Sequence, residues 1–380
     1  MWKNIRPRIP IPRTLNHVSK KQYATSSTCV ELPRDVKELP IPSDSTVFSM
    51  IQPTGEFHLG NYLGALQTWK QLNDYKKADT RAVFGVADLH ALTIPKRNNV
   101  ETFRNLRINS IAGLLSIGID PNNCIVNWQS SVGGLHCELF WILSCLMPMG
   151  YLNRMTQWKA KSKSDELNSC ELGLFSYPVL QAADILLYKA THVPVGEDQR
   201  QHLEMCRFIA EKFNSFYNCN ALPLPKTLLT PTRKIFSLTD PTKKMSKSSG
   251  DIMSLIYIND EPSVIREKIM KAKTDSLFNE KFKFDPNRRQ GVSNLINIVS
   301  GLQSRTIEDV ENDIAQFTSF KELKVYVADI VIDSLTEPKK LYNQYLKETE
   351  YLLEIITKGS ERAREISEAN LKEIKKIVGL

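Results

Sequence analysis

An α/β fold, with a doubly wound parallel sheet followed by an all-helical unit, is what this 380-residue sequence predicts. Three observations carry the prediction. Compact apolar runs alternate with segments of helical length in the first part of the chain, the β-like runs stop near residue 250, and helix breakers fall between the periodic segments that follow. The runs Thr46–Ile51, Ala82–Val86 and Cys124–Trp128 are β-branched or aromatic, as strands buried on both faces should be. Between them, Leu59–Leu72 and Glu101–Ile117 have helical length and period.

After residue 250 the pattern predicts helices at Ser263–Lys271, Val292–Leu302, Ile307–Phe317, Lys321–Leu335, Leu341–Ile356 and Glu361–Val378. Pro286, Gly291, Gly301, Pro338 and Gly359 are expected to mark the joints. The division is therefore a leader over 1–35, an α/β domain over 44–250 and a helical domain over 251–380, whose last helix is free to pack back on the first domain. No internal repeat or low-complexity tract interrupts this order.

The composition narrows the function classes. At 42% hydrophobic and 24% charged residues, the chain has ordinary globular usage rather than that of a disordered protein. Its longest nearly apolar stretch, Leu139 to Gly150, falls short of the ~18–20 residues that cross a bilayer, which argues against a membrane-spanning protein. The seven cysteines form no C-x-x-C pair and have no clustered histidines, so they read as reduced thiols rather than a zinc site or disulfide scaffold.

The formal charge of +8 suggests a nucleic-acid partner, but six of the excess charges (Lys3, Arg6, Arg8, Arg13, Lys20, Lys21) precede the first acid, Glu31. This Arg-rich, acid-free leader, ending in Thr25, Ser26, Ser27 and Thr28, has the composition of an organellar targeting segment, and the arginines favour a mitochondrion over a plastid. A basic tail is the alternative, because Pro7, Pro10 and Pro12 spoil an amphipathic helix. The case for a nucleic-acid partner must therefore rest on motifs.

Two words carry chemistry. The first strand runs into Gln52, Pro53, Thr54 and Gly55 and then His58-Leu59-Gly60-Asn61, a Gly-containing turn into a helix at the carboxyl edge of the sheet. Such a turn offers free N–H groups to a phosphate, with His58 and Asn61 as added donors, although an ordinary tight turn reads the same way. The second word, Lys244-Met245-Ser246-Lys247-Ser248, places lysines and hydroxyls on a loop between the two units, where ammonium groups would neutralise a polyphosphate. A given five-residue word arises by chance in a chain of this length only about once in 10,000.

The pair, separated by 186 residues, resembles the signatures of class I aminoacyl-tRNA synthetases. Further words narrow the resemblance: Tyr177–Tyr188 (YPVLQAADILLY), Val193–His202 (VPVGEDQRQH), Asp240–Ser248, Arg154–Gln157, Thr274–Ser276 and Gly291–Leu295. From Phe48 to Leu380 the chain is similar to the tryptophanyl-tRNA synthetases of bacterial and organellar type.

The resemblance implies a Rossmann-type domain with an anticodon-binding helical domain. It also implies activation of L-tryptophan by ATP with Mg²⁺, transfer to tRNA(Trp), and a homodimer. By matching motif, it implies that Gln52, Asn61, Lys244 and Lys247 are catalytic. ATP would be held by Gln52, Pro53, Thr54, Gly60, Asn61, Gly196, Glu197, Asp198, Ile235, Lys161 and the loop Lys244, Met245, Ser246, Lys247, Ser248.

Tryptophan would be held by Asp184, which would accept the indole N–H, together with Tyr177, Gln199, Phe48, His90 and Gln181. No resident metal site is expected. Asn61 stands where class I enzymes at large have a second histidine. Gln181 replaces a common bacterial methionine and, with Asp184, keeps a tyrosine enzyme open as an alternative. A small-molecule adenylyltransferase would have no use for the helical domain, and a non-catalytic RNA-binding relative would not need intact signature lysines. Between Arg266 and Arg289 eight basic residues face four acidic ones, which reads either as a tRNA phosphate patch or as a solvated helix face.

Overall fold

The computed structural model describes residues 28–31, 41–93, 99–161, 171–196, 199–229, 234–247, 250–277 and 280–380. Along the α/β part the elements are β1 (Cys29–Glu31), β2 (Thr46–Ile51), α1 (Leu59–Asn61), α2 (Gln67–Tyr75), β3 (Arg81–Val86), α3 (Val100–Ser116) and β4 (Ile125–Trp128), then α4 (Leu135–Ser144), α5 (Met149–Leu152), α6 (Thr156–Lys161), α7 (Leu172–Leu187), β5 (His192–Val195), α8 (Arg200–Phe216) and β6 (Lys226–Leu229). A π-helical stretch, Tyr62–Leu66, joins α1 to α2. The helical part comprises α9 (Pro262–Met270), α10 (Gln290–Leu302), α11 (Ile307–Asp313), α12 (Phe320–Lys347) and α13 (Thr349–Val378).

All pairings in the six-stranded sheet are parallel, in the order β1-β6-β5-β2-β3-β4. From β2 the chain builds outward through β3 and β4, then returns to β2's other side for β5 and β6. The reversal between β2 and β5 opens a crevice at their carboxyl ends, the position where open α/β sheets bind ligands. Successive strand residues face opposite cores, as the two-residue period requires. Val47, Ala82, Phe84 and Val126 join one core with α2, α3, α10 and α12, whereas Phe48, Val83, Ile125 and Val193 join another with α4, α7 and α8.

The predicted strands and the first helices occur where the periodicity puts them. β5 and β6 are four residues each, too short to stand out in the sequence, and β1 lies inside the leader as it reads from composition. Pro338 and Gly359, expected at joints, lie instead inside α12 and α13. In α12 the buried stripe Leu323, Val327, Val331, Leu335 and Tyr342 holds the helix together across the proline's missing N–H.

At Gly359, α13 crosses β4 so closely that a Cβ would stand 1.8 Å from the Val126 carbonyl oxygen. Beyond that crossing Ala363, Leu371 and Ile374 enter the second core, so α13 wraps over the β4 edge. Arg362 donates to the carbonyls of Pro121 and Cys124, both at 3.1 Å, and fastens it there. No helix among the described residues is long and apolar enough to cross a membrane.

Candidate active site

A cleft of about 500 Å³ occupies the crevice between β2 and β5. Its walls hold Phe48 and Gln52 from β2 and the loop beyond it, His90 after β3, Tyr177, Gln181 and Asp184 from α7, and Gly196 and Gln199 after β5. Every residue assigned by motif to the amino-acid pocket thus meets in one cavity, although the six are spread over 152 residues of chain.

Asp184 sits on α7 among Ala182, Ala183, Ile185, Leu186 and Leu187, and is only 2% exposed. Its oxygens are held by three donors. His90 Nε2 reaches Oδ2 at 2.7 Å, while Gln129 Nε2 and His136 Nδ1 each reach Oδ1 at 2.7 Å. Burial by itself would raise this carboxyl's pKa, but the charge and hydrogen bonds of His90 and His136 outweigh it and hold the group well below the usual carboxylate range.

The donors are themselves fixed. Gln129 Oε1 accepts from the Leu89 N–H at 3.1 Å, which sets the amide's orientation, and His136 Nε2 lies 3.1 Å from the Tyr188 hydroxyl. Oδ2 retains a lone pair beside the cleft. A ligand N–H could occupy it, and the carboxylate is already ionised and oriented.

His136 and Gln129 escaped the motif reading. The signal for them was indirect: an acid in an apolar helix demands buried donors, and Gln129 directly follows β4 while His136 lies in the first turn of α4 behind two left-handed glycines, Gly133 and Gly134. Elsewhere in the cleft, Tyr177 donates to Gln157 Oε1 at 2.7 Å and lies 3.2 Å from His202 Nε2. Burial pushes the Tyr177 phenol up to about 12, so it stays a neutral donor. Gln181 Nε2 donates to Gln199 Oε1 at 3.3 Å.

The two signature words also meet. Lys247 Nζ donates to the Thr54 carbonyl at 3.2 Å, and Gly60 is packed so tightly that a Cβ would stand 3.0 Å from the His58 ring and 3.4 Å from Met245 Cβ. His58 caps α1: its Nδ1 accepts the Asn61 N–H at 3.3 Å, and Asn61 Oδ1 accepts the His58 N–H at 3.2 Å. Burial, with Lys247 and then Lys244 nearby, lowers His58 to about 4, leaving a neutral ring with its proton on Nε2. Lys247 is itself lowered to about 8 by burial, against a smaller opposing pull from Glu56. The region concentrates positive potential beside Gln52, Pro53 and Thr54.

Other assigned residues fall differently. Ile235 is buried in the core, where its carbonyl accepts the Met245 N–H at 2.9 Å, and it does not line the cleft. Met245 is buried, Ser246 half-buried and Lys244 exposed. Glu197, Asp198, Ser248 and the Lys161 side chain lie outside the described residues. The basic stretch over 266–289 divides between buried and exposed residues. Lys268 is buried on Asp260 at 2.6 Å, Arg289 is buried and bidentate to Asp275 at 2.8 and 3.0 Å, and Arg266, Lys271 and Arg288 each hold an acid. Lys268 and Arg289 are thus taken into the fold, whereas Arg266, Lys271, Lys273, Lys281, Lys283 and Arg288 stay on the surface.

With this geometry in place, the comparisons are specific. The family tRNA synthetases class I (W and Y) matches residues 42–336. The mitochondrial tryptophan–tRNA ligase of Saccharomyces cerevisiae is 50% identical over 89% of this chain and 91% of its own, and the tryptophan–tRNA ligase of Rickettsia conorii is 41% identical over 88% and 98%. Among solved structures, tryptophanyl-tRNA synthetase from Campylobacter jejuni complexed with ADP and tryptophan is 30% identical, with a TM-score of 0.73, over 88% of this chain and 100% of that one. The Mycoplasma pneumoniae enzyme reaches 32% and 0.77 over 88% and 98%.

The chain belongs to the class I aminoacyl-tRNA synthetases. Within that class its activity is that of a tryptophan–tRNA ligase.

Proposed function

We propose that the β2–β5 cleft binds L-tryptophan with its indole N–H on Asp184, and that ATP lies between Gln52–Thr54 and the Lys244–Lys247 loop. The observation that carries this reading is the buried, ionised Asp184 held by three donors in the wall of the cleft, beside Phe48, Ile185 and Val193. An analogue without the N–H would leave that acceptor unpaired, at a cost of about 1–3 kcal/mol. Tyr177, Gln181 and Gln199 place the α-amino group, while Phe48 and His90 wall the ring.

In the first step a tryptophan carboxylate oxygen attacks the α-phosphorus in line and the bond to the pyrophosphate oxygen breaks. Lys247 and Lys244 then stabilise the charge gathering on pyrophosphate, with Gln52 and Asn61 positioning the nucleotide. In the second step a hydroxyl of the terminal adenosine of tRNA(Trp) attacks the aminoacyl carbonyl and releases AMP. Mg²⁺ enters with the ATP phosphates as part of the substrate. Among the described residues, no group of three His, Cys, Asp or Glu side chains is placed to hold an ion.

The helical residues 251–380 read the tRNA anticodon. A homodimer is supported by the exposed Trp141 and Met149, at 69% and 73% exposure, on neighbouring helices α4 and α5. A mitochondrial location is supported by the Arg-rich leader and by relatives from Saccharomyces cerevisiae and Schizosaccharomyces pombe that carry the word mitochondrial in their names.

The test is ATP–pyrophosphate exchange with tryptophan and with tyrosine. Exchange should require tryptophan and fall about 10- to 100-fold in Asp184→Ala. Exchange driven equally by tyrosine would overturn the pocket assignment.

A further inference from the structure

We propose that β1 (Cys29–Glu31), anchored by the Thr28 carbonyl, is a working strand of the catalytic sheet rather than part of a disposable leader, so that any processing of this chain cuts before Thr28. The inference rests in one arm on the mitochondrial reading above, and in the other on the fold alone. β1 pairs in parallel with β6, with Cys29 opposite Thr227, Val30 opposite Leu228 and Glu31 opposite Leu229. The Thr227 N–H donates to the Thr28 carbonyl at 2.9 Å. Val30 is packed against the core that includes Leu228. On the far side of β6, Arg207 donates to the Pro225 carbonyl at 2.9 Å and to Thr227 Oγ1 at 3.1 Å, which fixes the strand that receives β1.

The two edges of the sheet are closed by different parts of the chain. The β4 edge is covered by α13. Without β1, the N–H and C=O groups along the outer side of β6 would form the other edge, a template for pairing with a second chain. A three-residue strand covers it while itself offering too short a ladder to recruit another strand. This strand precedes residue 42, where the family match begins. The strand thus lies ahead of the family match and directly behind the basic residues of the leader. Composition alone assigns both to one segment, and the sheet divides them.

Three forms test the proposal: the full chain, the chain beginning at Thr28, and the chain beginning at Ile41. The first two should share one melting temperature and stay monodisperse. The form beginning at Ile41, and the full chain carrying Val30→Asp, should melt lower by on the order of 2–4 °C. The Ile41 form should also self-associate at concentrations where the Thr28 form does not. Equal melting and equal dispersity of all forms would overturn the proposal.

The second arm is import of the full chain into isolated mitochondria, followed by determination of the new N-terminus by mass spectrometry. A terminus at or before Thr28 supports the proposal, and an active product beginning after Glu31 overturns it. A chain that is not imported sinks the mitochondrial reading, and the melting comparison then decides the strand on its own.

Discussion

Asp184 illustrates how one residue's task is set by its neighbours. A carboxylate at 2% exposure is costly unless its lone pairs are satisfied, and here Gln129 and His136 both take Oδ1, leaving Oδ2 shared between His90 and the cleft. If those two donors aim the carboxylate rather than touch substrate, Gln129→Ala and His136→Ala should raise KM for tryptophan about tenfold, with a smaller change in kcat. Unchanged KM in both variants would show that Asp184 is held without them. Asp184 itself was legible from sequence because an acid amid apolar helix residues needs a reason; Gln129 and His136 were not, since they lie far from it in the chain. Lys247 gives a second residue-scale test. Its pKa of about 8 makes the ammonium fade as pH rises through that value, and with it the hold on phosphate proposed above. ATP affinity should weaken by up to about tenfold between pH 7 and 9, and Lys247→Arg, permanently charged, should flatten that dependence. A profile unchanged by the arginine would move the titration to another group.

At the scale of elements, α13 shows why a helix breaker in sequence need not break a helix. Glycine inside a helix costs roughly 1 kcal/mol against alanine, which is why Gly359 reads as a joint. Its role becomes visible only when the Val126 carbonyl of β4 is seen where a Cβ would be. The nearby Ser131 and Ser360 hydroxyls and the Arg364 bond to the Ser131 carbonyl, at 3.1 Å, tie the same crossing together. Periodicity identified the helical segments but not that three of them form only two helices, because tertiary contact outweighs local propensity at both Pro338 and Gly359. Gly359→Ala should therefore destabilise the protein, against the usual gain of that exchange in a helix, by about 1–3 kcal/mol. Its measured counterpart is a lower melting temperature with earlier proteolysis within α13. A variant as stable as the parent would mean that α13 can shift away from β4 at no cost.

For the molecule as a whole, the parallel sheet was legible because both faces of β2, β3 and β4 are buried, so their runs are uniformly apolar. The continuity of one core from the sheet into α9–α13 was not, since no local pattern reports which long-range faces meet. That shared core also joins the acid stability of distant parts. His58, at the loop that faces the helical unit, and His192, on β5, are both lowered to about 4, by burial first and then by Lys247 and Lys244 for His58 and Lys226 for His192. In the unfolded chain each titrates near 6.5. Above that pH both states are neutral and neither histidine affects stability. As pH falls from 6.5 towards 4 the unfolded state takes up protons that the folded state refuses, so stability is lost progressively across that window. For His58 alone the loss amounts to as much as about 3 kcal/mol once pH reaches the folded value. Melting temperatures at constant ionic strength should therefore decline from pH 6.5 downward, before carboxylate protonation takes over, and His58→Gln with His192→Asn should flatten this limb while lowering stability at neutral pH. If the double variant keeps the parental slope between pH 6.5 and 4, the acid sensitivity comes from other groups and the neutral, buried state assigned to these two rings is wrong.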